Sequence, residues 1–183
     1  MTGARATHGV EAVPSGFTHQ HAIRVRYAET DAMGVVYYAN YLTYFEVARV
    51  EYLRAAGIEY RSLEEAGVVA AVTAAHVDYR VPAKFDDELT LCTRGTMTGK
   101  VRFRFEYEIW RLADGNLVVS GYTEHALLSY PTLRPVRVPD WVRDGIARFE
   151  ATRESATQPA SELPDPAESR AQLHGARERR IVR

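Results

Sequence analysis

The sequence contains a single cysteine, Cys92, so an internal disulfide framework is excluded and a reducing cytoplasm is indicated. Its formal net charge is only −1, which points neither to nucleic acid nor to an anionic membrane as a partner. No segment approaches the roughly 18 consecutive apolar residues of a membrane-spanning helix. The first twenty residues also lack the apolar stretch of a secretory signal. We therefore expect a soluble, cytoplasmic protein.

Several familiar site patterns are missing as well. The absence of a Gly-x-Ser-x-Gly segment argues against an α/β-hydrolase. His76 and His125 fall in strand-like segments without further metal-ligating residues at useful spacing, and Cys92 has the setting of a small core residue. We therefore predict no metal and no cofactor.

The composition divides the chain into three zones. Residues 1–17 are small and polar, and we expect them to be disordered. Residues 18–150 carry the aromatic and most of the apolar side chains and are long enough for one domain with a proper core. Residues 151–183 lack aromatics and combine prolines with mixed charges, which predicts a disordered or loosely helical tail.

Hydrophobic periodicity indicates an α+β domain in which strands follow one long helix. The period of 3.6 predicts a helix over 41–56, ended by Gly57, and shorter helices over 61–66 and from Asp140 to about 149. Alternation predicts strands over 22–27, from 68 to about 81, 89–94, 101–109 and 117–130. A single aromatic-rich helix followed by an antiparallel meander suggests a curved sheet wrapped around that helix.

The segment 29–41 holds the strongest functional pattern. Asp31 lies in a loop-forming stretch, and an aromatic pair then leads to Asn40, a good helix N-cap residue. A carboxylate beside a helix N-terminus suits attack on a carbonyl, because unpaired N–H groups and the positive end of the helix dipole can stabilise an oxyanion.

This segment, together with Phe45-Glu46-Val47-Ala48-Arg49 and the later strands, resembles the hotdog-fold acyl-CoA thioesterases, specifically the 4-hydroxybenzoyl-CoA thioesterase family. The resemblance covers about residues 20–150. It implies the hotdog fold, a five-stranded antiparallel sheet wrapped around a central helix. It also implies homodimers joined sheet edge to sheet edge, or homotetramers, with active sites at the dimer interface.

The resemblance further implies roles for individual residues. The catalytic carboxylate of the family matches Asp31, and its oxyanion-binding backbone N–H matches that of Tyr38. Substrate-binding positions are expected in two groups. In the first, Gly34 would let the loop turn tightly enough to bring Asp31 over the helix end, and Val36 is a further expected substrate-binding residue. The aromatic residues there either line an acyl pocket or belong to the core: Tyr37, Tyr38, Tyr41 and Phe45. In the second, Lys100 and Arg102 match positions where relatives hold the phosphates of CoA.

The sequence thus predicts hydrolysis of an acyl-CoA thioester to free acid and CoA. Asp31 could attack the carbonyl itself or act as general base on a water, and the sequence leaves both routes open. One alternative is an acyl carrier protein thioester as substrate, and another is a non-catalytic acyl-CoA-binding module. A hotdog hydratase is disfavoured, because Val36 occupies the position of its histidine.

Overall fold

The computed structural model describes residues 16–157, and side chains as far as residue 152. The expectations for residues 1–15 and 158–183 lie outside the described residues. The described part up to residue 153 belongs to one compact unit.

Five antiparallel strands form one sheet in the order β1-β3-β4-β5-β2. They are β1 (His19–Arg24), β2 (Val68–Tyr79), β3 (Glu88–Met97), β4 (Arg102–Arg111) and β5 (Asn116–Ser129). The helices are α1 (Asn40–Ala55), α2 (Tyr60–Glu65) and α3 (Asp140–Thr157), and a 3-10 turn spans Tyr27–Glu29. The hotdog arrangement expected from the resemblance is confirmed.

The strict alternation in β4 sets the face on which α1 packs. Phe105 and Tyr107 are almost fully buried on the inner face, whereas the charged residues between them lie on the other face. The ring of Phe45 from α1 stacks on Tyr107 at 4.2 Å, and Tyr52 meets Phe105 edge to face at 5.3 Å. Aromatic contact between one helix and the inner sheet face therefore forms the centre of the core.

The start of the domain differs from the sequence expectation. Strand β1 begins at His19 and ends at Arg24, because its pairing partners in β3 run from Thr93 to Glu88, and Tyr27 already belongs to the 3-10 turn. Phe17, expected in the disordered segment, is only 8% exposed. The Arg94 guanidinium lies 5.6 Å from the centre of its ring.

The start of α1 and the end of α3 also differ from the sequence prediction. Helix α1 begins at Asn40 itself, and its N-cap residue is Ala39. The Asn40 side chain does not cap the helix, because its Nδ2 donates to the Glu29 carbonyl oxygen at 2.7 Å instead. Helix α3 continues past the expected end at 149 to Thr157.

Candidate active site

Asp31 lies at the start of a tight turn that its own side chain helps to form. The Asp31 N–H donates to the Val35 carbonyl oxygen, and the Gly34 N–H donates to the Asp31 carbonyl oxygen, both at 2.9 Å. Oδ1 of Asp31 accepts a hydrogen bond from the Met33 N–H at 2.8 Å. Gly34 has φ of +72°, a conformation that glycine adopts without steric cost. The turn therefore fixes the direction of a half-buried carboxylate.

The loop returns to the sheet and then leads directly into α1. The Tyr37 N–H donates to the Glu29 carbonyl oxygen at 2.9 Å, and the Val36 N–H donates to the Ala83 carbonyl oxygen at 2.8 Å. These bonds close the loop on both sides of Asp31. Tyr37 and Tyr38 are consequently held just before the first helical residue, Asn40.

A cavity of about 420 Å³ opens beside the Asp31 turn. Tyr41 lies deep in the protein, being 3% exposed, and its ring meets that of Tyr79 at 5.7 Å. The Tyr79 hydroxyl donates to the Tyr38 carbonyl oxygen at 3.2 Å, which joins the end of β2 to the entry of α1. The lining residues are Asp31, Met33, Val35, Val36, Tyr37, Tyr38, Tyr41, Tyr79, Arg80, Val81 and Pro82.

The backbone N–H of Tyr38 is a donor available to a ligand. Within residues 16–157, no acceptor takes this N–H, although the neighbouring Tyr37 N–H is already bonded. Tyr38 precedes the first turn of α1, whose N–H groups have no intrahelical partners and carry the positive end of the helix dipole. Asp31, which carries the carboxylate, and Tyr38, whose amide N–H is unpaired, are therefore both residues of the cavity lining.

The structure brings together most, but not all, of the residues that the sequence singled out. Asp31, Val36, Tyr37, Tyr38 and Tyr41 line the cavity, and Gly34 forms the turn beside it. Phe45 is fully buried against Tyr107 and lies outside the lining, since it faces the inner sheet. Lys100 and Arg102 are exposed around the start of β4 and are also outside the lining.

Part of the cavity wall was not anticipated from the sequence. Four consecutive residues at the end of β2 and just after it complete the wall: Tyr79, Arg80, Val81 and Pro82. Alternation and Pro82 marked this segment as a strand and its end, but no local pattern indicates that it meets the loop after β1. Asn40 and Glu29 were likewise missed as anchors of that loop.

Other reactive side chains lie away from the cavity lining. Burial lowers the pKa of His125 to about 4, so its ring is neutral near pH 7, and it stacks on Phe103 at 5.3 Å. Burial raises the pKa of the Cys92 thiol to about 12. His76 is exposed at 3.2 Å from Asp78. In the described part of the chain, no group of three or more His, Cys, Asp or Glu residues could hold a metal.

Comparison with known proteins identifies the family. Residues 25–146 match the model of the Thioesterase-like superfamily, and the chain belongs to that family. It is 37% identical over 123 residues to the acyl-CoA thioesterase YbgC of Haemophilus influenzae, covering 66% of this chain and 88% of that protein. Identity to the 1,4-dihydroxy-2-naphthoyl-CoA hydrolase of Synechococcus elongatus is 32%, covering 65% of this chain and 90% of the other.

The solved structures agree with this assignment. A DHNA-CoA thioesterase from Staphylococcus aureus superposes with a TM-score of 0.68 at 31% identity, over 76% of this chain and 95% of that one. The protein is accordingly an enzyme of the thioester hydrolase class. None of the helices in residues 16–157 is long and apolar enough to cross a membrane.

Proposed function

We propose that this enzyme hydrolyses an acyl-CoA thioester to the free acid and CoA in the cavity beside Asp31. One observation carries the proposal: Asp31 and Tyr38, the residue with the unpaired N–H, both belong to the lining of a single aromatic cavity next to the N-terminus of α1. The names of the relatives, which include acyl-CoA thioesterases, support the same class of substrate.

The proposed chemistry needs only a nucleophile and a place for the oxyanion. Asp31 attacks the thioester carbonyl carbon, the C–S bond breaks, and CoA thiolate leaves. Water then hydrolyses the acyl–Asp31 anhydride. In the second route, Asp31 instead accepts a proton from the water that attacks the carbonyl. In both routes the Tyr38 N–H binds the developing oxyanion, and one such donor contributes about 10²–10³ in rate.

The substrate-binding part of the proposal has two regions. Tyr37 and Tyr41, with Val36, would contact the acyl group, and Gly34 would keep the turn compact. Phe45, which packs on Tyr107 outside the lining, would have no direct contact with the acyl group. Lys100 and Arg102 remain predicted ligands of the CoA phosphates, outside the cavity and on the exposed start of β4.

We further propose a homodimer joined through β2. This strand lies at one edge of the sheet, so one row of its backbone groups has no neighbouring strand within the described residues. It is long, and it exposes Val72 (55%) and Tyr79 (51%). Because the cavity includes Tyr79 to Pro82, pairing of two β2 edges would also enclose the site. Sedimentation velocity should give a dimer or a multiple of it; a monomer at micromolar concentration would contradict this part.

The decisive variant is Asp31→Asn, assayed by thiol release from benzoyl-CoA, butyryl-CoA and octanoyl-CoA. Removing the negative charge should lower kcat by two or more orders of magnitude on the acyl-CoA that the wild type hydrolyses fastest, because the amide is neither nucleophile nor base. Circular dichroism and sedimentation should be unchanged. Near-normal turnover would remove Asp31 from the mechanism. Activity only on acyl carrier protein thioesters would correct the substrate class.

A further inference from the structure

Glu29 is a buried acidic residue that the proposed chemistry does not use. Its side chain is 10% exposed, although it belongs to a short surface turn. Carboxylates are rarely buried unless their oxygens are paired, because removing the charge from water costs several kcal/mol. A charge in this position therefore calls for an explanation.

Four hydrogen bonds satisfy the carboxylate. Oε1 accepts from Arg26 Nε at 2.8 Å and from Nη2 at 2.6 Å. Oε2 accepts from the Arg26 backbone N–H at 2.7 Å and from the Tyr44 hydroxyl at 2.8 Å. Burial alone would raise the pKa of Glu29, but these bonds outweigh it and lower the pKa below its ordinary value. Glu29 is thus ionised near neutral pH and joined to α1 through Tyr44.

The backbone of the same residue holds both sides of the site loop. The Glu29 carbonyl oxygen accepts from the Tyr37 N–H at 2.9 Å and from Asn40 Nδ2 at 2.7 Å. Asp31 follows Glu29 by two residues, and Tyr38 follows Tyr37 directly. Glu29 consequently connects the chain just before Asp31 to the end of the loop just before Tyr38. It also connects that chain segment to the first two turns of α1.

We propose that Glu29 is a positioning residue, which holds the Asp31 turn and the Tyr38 N–H in their catalytic relation by anchoring both to α1. Catalytic groups must be held within about 0.5 Å of the productive geometry, and misplacement by 1 Å can cost about 10² in rate. A purely structural role for the turn, as a local cap joined to Arg26, would affect stability alone. The inference rests on the proposed function of Asp31 and Tyr38.

The test compares Glu29→Gln with Glu150→Gln. Glu150 is a matched control, since it too accepts a tyrosine hydroxyl from α1, that of Tyr52, but lies on α3 away from the cavity lining. Glutamine keeps the size and removes the charge and one acceptor. With benzoyl-CoA, butyryl-CoA and octanoyl-CoA, Glu29→Gln should lower kcat at least about tenfold with little change in KM. Glu150→Gln should have the wild-type kcat when the rate is divided by the concentration of folded protein.

A second variant covers the case in which Glu29→Gln fails to fold. Asn40→Ala removes only the bond to the Glu29 carbonyl, and alanine favours the helix, so the fold should be retained. Its kcat should fall several-fold with KM maintained. Wild-type kcat in a folded Glu29→Gln or in Asn40→Ala would overturn the positioning role, even if Asp31→Asn is inactive. Full activity in Asp31→Asn would instead overturn the proposed function itself.

Discussion

The two halves of helix α1 use the same device for different purposes. Tyr44, near its N-terminus, donates to Glu29 at 2.8 Å, and Tyr52, about two turns later, donates to Glu150 at 2.6 Å. Both tyrosines are buried, and this burial, together with hydrogen bonding to the carboxylate, raises the pKa of each. What differs is the segment to which each carboxylate belongs.

Glu29 belongs to the loop that presents Asp31, whereas Glu150 belongs to α3 and connects the helix to the sheet. Glu150 also accepts the Gly95 N–H at 2.7 Å and the Thr18 hydroxyl. We therefore call the two regions the site end (Glu29 and Tyr44) and the core end (Glu150, Tyr52 and Gly95). The two carboxylate–tyrosine pairs therefore differ in the segment that each one fastens to α1.

The largest effect on stability is expected at the core end, from Gly95→Ala. An added Cβ would lie 2.8 Å from the Tyr52 hydroxyl oxygen and 3.0 Å from Cζ, so a buried ring must move. Overpacking of this kind should lower the free energy of unfolding by about 1–3 kcal/mol in urea denaturation. Gly99→Ala is the control, since its Cβ would meet nothing within 4 Å. Equal free energies of unfolding for Gly95→Ala and Gly99→Ala would contradict tight packing between Gly95 and Tyr52 at the core end.

A smaller effect, which tests the division of roles, is expected from Tyr44→Phe and Tyr52→Phe. Each change deprives a carboxylate of one donor and should lower the free energy of unfolding by about 1–2 kcal/mol. Only Tyr44→Phe should also reduce kcat, because Tyr44, unlike Tyr52, connects α1 to the loop before Asp31. Stability comes from urea denaturation and kcat from thiol release. The comparison fails if both variants lose the same fraction of kcat.

The smallest effect is a difference in pH response between the two ends. Burial, with a contribution from His21, lowers the pKa of His19, whose ring meets Tyr52 at the core end. Between pH 6.5 and the lowered folded pKa, the unfolded chain therefore binds a proton on His19 more readily than the folded chain does. The free energy of unfolding decreases as the pH is lowered through this range. His19→Gln should remove this pH-dependent part of the free energy of unfolding, which amounts to at most about 1.4 kcal/mol per pH unit.

The site end should respond in a lower range of pH. The folded pKa of Glu29 is lowered from 4.5, so its contribution to stability is complete above that value and is lost as the pH falls through the folded pKa. Glu29→Gln should flatten the stability curve below pH 4.5. Above that pH, it should lower the free energy of unfolding by a nearly constant amount and leave the slope unchanged. Urea denaturation at a series of pH values measures both variants, and identical curves for them would contradict the separation.

Much of the fold could be predicted because its patterns are local. The alternation of β4 and the helical spacing of α1 reflect which faces are buried, and the structure places both as expected. The boundaries of β1 could not be predicted in the same way. Its end at Arg24 coincides with the first residue of β3, Glu88, and no residue within 19–27 encodes where that partner begins.

For the candidate site, the sequence predicts a role for Asp31, Tyr38 and their aromatic neighbours together, because they all lie in one continuous segment, and these residues line the cavity. Tyr79, the last residue of β2, and Arg80, just after it, were not predicted, since they follow Tyr38 by about forty residues. Phe45, at the correct helical spacing for the acyl pocket, lies against Tyr107 instead. Its direction follows from how α1 is rotated on the sheet, which the spacing alone does not define.

By itself, the sequence determined the order of the elements, the thioesterase family and the carboxylate beside a helix start, since each is contained in a short run of residues. Only the tertiary structure decided that Asn40 bonds to Glu29 rather than capping α1, and that Tyr79 closes the cavity. The first contact spans 11 residues across the Asp31 loop, and the Tyr79–Tyr38 contact joins residues 41 apart. Such contacts form only when the sheet has folded around the helix and burial makes each unpaired polar group costly.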